Sequence, residues 1–367
     1  MRVERITYEN FRNHPLSAFE PDEGINLIHG PNGSGKTSIL EGIHYCALTR
    51  GFVSAADSDC LLFSSDYFLL HAAFIDGTGR NTAVKIAYTQ QKEKQITVNN
   101  SELTTFSSHV GAIPCITFSP PEIAIVNGAP GERRRFLDNA ISQTDRRYLE
   151  DLMAYRRVLS QRNAQLLLIA EKRSDDEAML SIWTESLARL AASIVRRRVK
   201  VTAAIFSCFT EIYRRMGVQE IPLITYRSSF PDIGKDPSVE VLYNRYLEKF
   251  SDIRRVEILR GQTMAGPHRD DLVFMLNGRE IKKFASQGQM RTFLICLKLA
   301  QQRFFFETLG EQPICLLDDI FSELDSMRIA DIFSILESCG QAIITSADRH
   351  EHPRMRPISI ESLRRKG

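Results

Sequence analysis

Two clusters of residues in this sequence are suited to phosphate chemistry. The first, Gly30-Pro31-Asn32-Gly33-Ser34-Gly35-Lys36-Thr37, satisfies the pattern G-x-x-x-x-G-K-[ST] in full. Glycines at these spacings let the backbone fold into a ring of N–H groups around a β-phosphate, and a helix that follows turns its positive end on the same anion. In such a loop Lys36 reaches between the β- and γ-phosphates and the Thr37 hydroxyl holds Mg²⁺. The second cluster is Asp318-Asp319, at the end of the apolar run Ile314-Cys315-Leu316-Leu317. A carboxylate at the end of a neighbouring strand completes the metal site, so Asp318 is expected to bind the ion, directly or through water. Asp319 is then expected to polarise the attacking water. Together the clusters predict nucleoside triphosphate hydrolysis with Lys36 and Asp319 as its catalytic groups. About 280 positions separate Lys36 from Asp318, too many for a compact small GTPase, and no NKxD guanine-reading tetrapeptide lies between them.

These groups need strands and helices to aim them. Strands are predicted over 3–8, 24–29, 67–75, 83–89, 95–98 and 115–118, so residues 1–127 form a mainly β segment with one helix after Gly35. Phe118-Ser119-Pro120-Pro121 breaks that pattern. From about 133 to 216 apolar residues recur at helical spacing, which predicts two or three long helices. Residues 217–236 read as short, proline-containing connections, and 239–250 as a helix. Past Gly261 the mixed pattern returns, with strands over 272–276, 314–317 and 342–345 and helices over 289–307 and 325–339. The simplest plan is an α/β nucleotide-binding head built from both chain ends, 1–127 and 261–367, with a mainly helical domain, 128–260, inserted between them.

The chain has 367 residues, 43% of them hydrophobic and 25% charged, which excludes global disorder, collagen-like repeats and a membrane-channel composition. Its seven cysteines are scattered without a CxxC pair, which suits free thiols in a reducing cytosol better than disulfides or zinc. The N-terminal residues do not read as a signal segment, no run of about 18 apolar residues occurs, and a cytoplasmic location without a membrane anchor is expected.

The net charge of +2 argues at first against a polyanion partner. Counted by block it resolves into −4 for 1–127, +6 for 128–215 and 0 for 216–367. The basic block holds Arg133-Arg134-Arg135, Arg156-Arg157 and Arg196-Arg197-Arg198 with Lys200. Arg196, Arg197, Arg198 and Lys200 are the candidate DNA contacts; the bland alternative is a solvated helix face.

Ser286-Gln287-Gly288-Gln289-Met290-Arg291 opens a predicted helix shortly before the acid pair, and Ser322-Glu323-Leu324-Asp325 follows it. This order resembles that of ATP-binding-cassette ATPases. In such heads the signature helix completes the site of a second subunit, so Ser286, Gly288 and Gln289 would touch the partner's ATP in an ATP-dependent homodimer. A closer resemblance, over the whole chain, is to the RecF family of recombination and repair ATPases, relatives of the SMC proteins. It rests on Tyr8-Glu9-Asn10-Phe11-Arg12-Asn13, the loop Gly30 to Thr37, Phe118 to Glu122, Gly131-Glu132-Arg133-Arg134-Arg135-Phe136-Leu137-Asp138, Gly266-Pro267-His268-Arg269-Asp270-Asp271, the signature, and Leu317 to Asp325. Two departures are Met290, where the family usually has a second Gln, and the Ile344-Thr345-Ser346-Ala347 strand, which leaves the γ-phosphate sensor open.

The resemblance implies a weak, DNA-stimulated ATPase with ATP and Mg²⁺, in which an ATP-driven dimer clamps gapped DNA for recombinase loading during repair and fork maintenance. It also implies RecR- and RecO-type partners and Arg12 as a phosphate-side contact. An ATP-binding subunit of a membrane transporter is the alternative, disfavoured by the basic helical insertion. An SMC-like tether needs arms far longer than this insertion. His350-Glu351-His352 reads as a poor metal site, Gly266 to Asp271 as a turn held by local ion pairs at least as readily as a catalytic group, and Trp183 as core.

Overall fold

A computed structural model describes residues 1–53, 56–173, 176–217, 219–234, 236–321, 326–337 and 339–363. The chain folds into two compact units. The first comprises Met1–Ile123, Glu211–Val218 and Ser286–Gly367, and the second Ala124–Thr210 and Gln219–Ala285.

The first unit contains a five-stranded, all-parallel sheet in the order Met355–Ser359, Ile25–His29, Ala342–Ser346, Ile314–Asp318, Cys115–Phe118. Its three inner strands are mostly apolar and buried almost throughout, as parallel strands covered on both faces must be. A six-stranded antiparallel sheet runs His14–Phe19, Arg2–Phe11, Tyr67–Ile75, Asn81–Thr89, Lys94–Val98, Ser101–Glu102. Here the pattern alternates: along Tyr67–Ile75 buried Phe68, Leu70, Ala72 and Phe74 are interleaved with more exposed residues.

The helix Lys36–Leu48 lies against strands of both sheets. Two apolar faces are therefore covered, and Ile39, Leu40, Ile43, Cys46 and Ala47 are all fully buried. The approach is closest at Gly42, where a Cβ would sit 2.3 Å from the Tyr8 ring. Tyr8 is fixed there by its hydroxyl, which donates to Ile39 O at 2.7 Å. This packing anchors the phosphate loop, because the helix is the loop's direct continuation. Glu211 and Tyr213 join the first unit through an ion pair to Arg303 at 2.5 Å and a ring contact with Phe293, centroids 6.2 Å apart.

The second unit holds the helices Pro130–Thr144, Arg146–Ala170, most of Glu177–Arg215, and Val239–Arg260. It also holds a three-stranded antiparallel sheet, Arg279–Glu280, Asp271–Leu276, Pro222–Arg227. That sheet moves the boundary: Asp271–Leu276 pairs along its length with Pro222–Arg227, so the chain rejoins the first unit at Ser286 and not at 261. Pro222 stands at the first position of its strand, where a missing N–H is tolerated, so a residue that signals a connection in sequence here begins a strand. Helix Glu177–Arg215 is long and apolar enough, by length and composition, to cross a membrane. Its apolar residues Leu187, Ala188, Ala191, Ala192, Ile194 and Val195 are fully buried, as in the core helix of a globular unit.

Candidate functional site

At the end of strand Ile25–His29 the chain turns through Gly30 to Gly35 into the helix that starts at Lys36. Gly35 has φ 102°, and a Cβ there would lie 2.6 Å from both Asn13 Oδ1 and His14 Nε2. Only glycine meets both demands. Asn13 Nδ2 donates to Gly33 O at 3.3 Å, and His14 Nε2 donates to Gly35 O at 3.0 Å while its Nδ1 accepts from Ser17 Oγ at 2.9 Å. The loop is thus clamped from the hairpin of strands Arg2–Phe11 and His14–Phe19. No side chain caps the helix, which leaves its first amides for an anion. Lys36 Nζ donates to Gly30 O at 2.6 Å and Pro31 O at 2.9 Å. Burial lowers its pKa, and the nearby carboxylates of Asp319 and Asp318 oppose that shift.

The opposite chain end supplies the carboxylates. Thr37 Oγ1 donates to Asp318, 2.9 Å from Oδ1 and 3.1 Å from Oδ2, and Thr345 Oγ1 donates to Asp318 Oδ1 at 2.6 Å. Burial raises the Asp318 pKa, and the two hydroxyl bonds oppose the rise. Asp319 sits just past the strand with φ 50°. Both acids, Lys36, Thr37, Thr345 and Asn13 line one cavity of about 450 Å³.

These residues fit a magnesium nucleoside triphosphate. An ammonium group and uncapped helix amides face the cavity for the phosphates. A hydroxyl and a carboxylate already in contact are the hard oxygen donors Mg²⁺ prefers, and Mg²⁺ takes most of its remaining ligands from water and phosphate. Among the described residues no group of three or more His, Cys, Asp or Glu could hold a metal alone.

The structure therefore gathers Gly30 to Thr37 with Asp318 and Asp319. It does not bring Ser286, Gly288 or Gln289 to the lining of this cavity. Ser286 caps helix Gln287–Leu309: its Oγ accepts from Gln289 N at 3.2 Å while Gln289 Oε1 accepts from Ser286 N at 2.8 Å. Ser322 to Asp325 lie outside the described residues. Thr345 and Asn13 join the site without belonging to either motif; the signal for Thr345 is its register opposite Asp318 in the parallel sheet. Arg12, implied as a phosphate-side group, is instead bidentate to Glu41 (2.7 and 2.8 Å) and donates to Asp59 O at 2.7 Å.

The basic run on helix Glu177–Arg215 divides. Arg196 and Lys200 are exposed, Arg196 standing 3.6 Å from Asp236. Arg197 is half-buried and paired with Asp145 at 2.9 Å and Asp151 at 2.7 Å. Arg198 must be withdrawn from the candidate DNA contacts. It is 2% exposed, its guanidinium meets Asp138 Oδ1 at 2.8 and 3.0 Å, and it donates to Pro267 O at 2.7 Å. A buried guanidinium whose N–H groups are committed to Asp138 and Pro267 is out of reach of a phosphate.

Arg198 belongs to a polar core that also takes in Asp270 and Asp271, while Arg269, between them and His268, stays exposed. Arg133 is bidentate to Asp271 (2.8 and 3.0 Å), Arg134 donates to Asp270 O at 2.8 Å, and Tyr226 donates to Asp270 Oδ2 at 2.5 Å. Burial pushes the Asp270 carboxyl up to about 6 and the His268 imidazole down to about 4. His352 stacks on Phe333 with centroids 4.7 Å apart, an aromatic packing role. Trp183 is half-buried and so only partly core.

Comparison with known proteins gives the family and the fold. A model of the AAA domain matches residues 5–172. The chain is 53% identical over 363 residues to the DNA replication and repair protein RecF of Chlorobium luteolum, covering 99% of this chain and 98% of that protein. It is 45% identical over 364 residues to RecF of Chlorobaculum tepidum, covering 99% of each. Among solved structures it is similar to the recombination mediator protein RecF-ATP of the RecFOR pathway, with TM-score 0.89 and 29% identity over 98% of this chain and 95% of that one. The Smc head domain of Pyrococcus furiosus bound to a ScpA domain matches with TM-score 0.54 and 14% identity over 94% of this chain and 89% of that one, a likeness of fold alone.

Proposed function

Since this chain belongs to the RecF family, ATPases of the SMC-like class with an α/β, ABC-type head, we propose that it is an ATP-driven switch that grips DNA during replication and repair. The observation that carries the reading is the meeting of the P-loop and the acid pair, from opposite chain ends, in one cavity. The P-loop amides and Lys36 bind and orient the triphosphate, and Asp319 takes a proton from the water whose oxygen attacks the γ-phosphorus as the bond to the bridging oxygen of ADP breaks. Thr37 and Asp318 would hold Mg²⁺, which supplies charge neutralisation at the phosphate oxygens.

ATP then works as a dimerising ligand. Ser286, Gly288 and Gln289 lie away from the chain's own cavity, as expected of groups that complete the site of a second copy. In that dimer the outward cations of the second unit, Arg196 and Lys200 with part of Arg197, hold the phosphates of a gapped or junction DNA, and slow hydrolysis releases it. RecR- and RecO-type proteins are the expected partners and the cytoplasm the expected place. The transporter alternative has no specific observation in its favour.

The test is an ATPase and sizing assay with and without gapped DNA, using Asp319→Asn as a trap. A stable ATP-dependent dimer and a DNA-stimulated rate in the unmodified chain support the clamp. A monomer under ATP whose rate ignores DNA would sink it.

A further inference from the structure

Thr345 is the penultimate residue of strand Ala342–Ser346, in register with Ile28 of the P-loop strand on one side and with Asp318 on the other. It is 1% exposed and follows Ala342, Ile343 and Ile344, none of them exposed at all. Valine or isoleucine would suit such a position by shape and strand preference, and a buried hydroxyl is costly unless bonded. This one is bonded twice. Oγ1 donates to Asp318 Oδ1 at 2.6 Å and accepts from Asp319 N at 3.2 Å, an amide that also reaches Thr345 O at 3.1 Å. The direction is unambiguous, because an amide N–H cannot accept and the hydroxyl has one proton, which goes to the carboxylate. Asp319 meanwhile has φ 50°, a conformation that residues other than glycine rarely adopt.

We propose that Thr345 is a positioning residue for hydrolysis: its one hydroxyl orients the Asp318 carboxylate for the metal and anchors the left-handed turn that directs Asp319 into the cavity. The inference rests on the ATPase reading above. Thr37 also holds Asp318, but it belongs to the loop that receives the nucleotide. Thr345 stands in the sheet, and a group fixed by a rigid element is the better reference for the two acids.

The test compares Thr345→Val, which keeps the shape and loses the hydroxyl, with Thr345→Ser, which keeps the hydroxyl and loses a methyl. Two quantities are read: kcat for ATP, and the Mg²⁺ concentration that half-saturates binding of a fluorescent, non-hydrolysable ATP analogue. Thr345→Val should lower kcat by roughly 10- to 100-fold and raise the half-saturating Mg²⁺ by about 10-fold, the usual size of such effects for groups that orient metal ligands. Thr345→Ser should stay near the unmodified protein in both. If Val leaves both quantities unchanged, or Ser falls as far as Val, the role is packing and the proposal is wrong. Thr345→Ala takes the place of Val should the latter fail to fold. Lys36→Ala separates the two levels: turnover indifferent to Lys36 defeats the ATPase reading itself, whereas turnover abolished in Lys36→Ala but kept in Thr345→Val defeats only the role given to Thr345.

Discussion

The Thr37 hydroxyl donates to Asp318 Oδ1 at 2.9 Å across a sequence separation of 281 residues. Thr37 lies in the first turn of the helix that packs against both sheets, and Asp318 ends a strand of the parallel sheet. Their hydrogen bond exists only when both chain ends are folded together, so the metal site reports on assembly of the whole first unit.

Asp319→Asn should lower turnover by about 10²-fold or more while ATP still binds, since the proton acceptor is gone but the groups that hold the phosphates stay. Lys36→Arg should likewise keep some ATP binding and lose turnover, because a planar guanidinium cannot replace the ammonium point charge. Filter binding beside single-turnover hydrolysis checks both; normal hydrolysis in Lys36→Arg would remove the P-loop assignment.

Ser286→Arg should bind ATP with ordinary affinity and fail to dimerise with it, as read by light scattering. The substitution also removes the capping box, so circular dichroism should show a helix Gln287–Leu309 that persists by its buried face. Unaltered dimerisation would contradict a signature that acts in trans.

Arg198→Ala and the pair Arg196→Glu with Lys200→Glu should fail in different ways. The first removes the buried cation paired with Asp138, which keeps only the Tyr148 hydroxyl and the more distant Arg156, and should cost roughly 3 kcal/mol of stability, seen in the urea midpoint. The second should leave that midpoint almost unchanged and make the log–log salt slope of DNA binding shallower by about 0.9 for each phosphate no longer neutralised. An unchanged slope would mean that the exposed cations are merely solvated.

Asp270 and His268 should give stability opposite pH dependences. The Asp270 carboxyl is raised by burial from 3.8 to about 6, so its contribution is full below pH 3.8 and is lost as pH rises through 6. The His268 imidazole is lowered by burial from 6.5 to about 4, so its contribution is full above pH 6.5 and is lost as pH falls through 4. In the intact protein the slopes oppose one another between about pH 4 and 6. Asp270→Asn should expose a stability that rises with pH in that window, and His268→Gln one that falls, by chemical denaturation at fixed ionic strength. Parallel curves for both variants would show that these groups do not carry the shifts.

The helices and strands of the first unit are legible in the sequence where a single period runs long enough. Tyr67 to Ile75 alternates, Ile314 to Leu317 is apolar throughout, and both are strands. Pro222–Arg227 is not legible, because this short strand takes its identity from its partner Asp271–Leu276 and not from its own pattern. The end of the second unit is hidden with it.

The ordered motifs are enough to identify a triphosphate site, because the P-loop is a local device: glycine conformations, one lysine and the hydroxyl of Thr37 within eight consecutive residues. The same locality marks Asp318 and Asp319 as a strand-end pair. Charge is different. Arg196, Arg197 and Arg198 are adjacent in sequence and equal in charge, yet a helix turns about 100° per residue, so one faces solvent, one pairs at the rim and one enters the core. The roles of Thr345 and Asn13 are hidden for a related reason, since each acts through a bond to a residue remote in the chain. Chemistry carried by consecutive residues was decided by the sequence alone. Which cation faces water, and which hydroxyl orients which acid, was decided by tertiary packing, because burial and long-range pairing determine whether a polar group meets water, a ligand or another part of the protein.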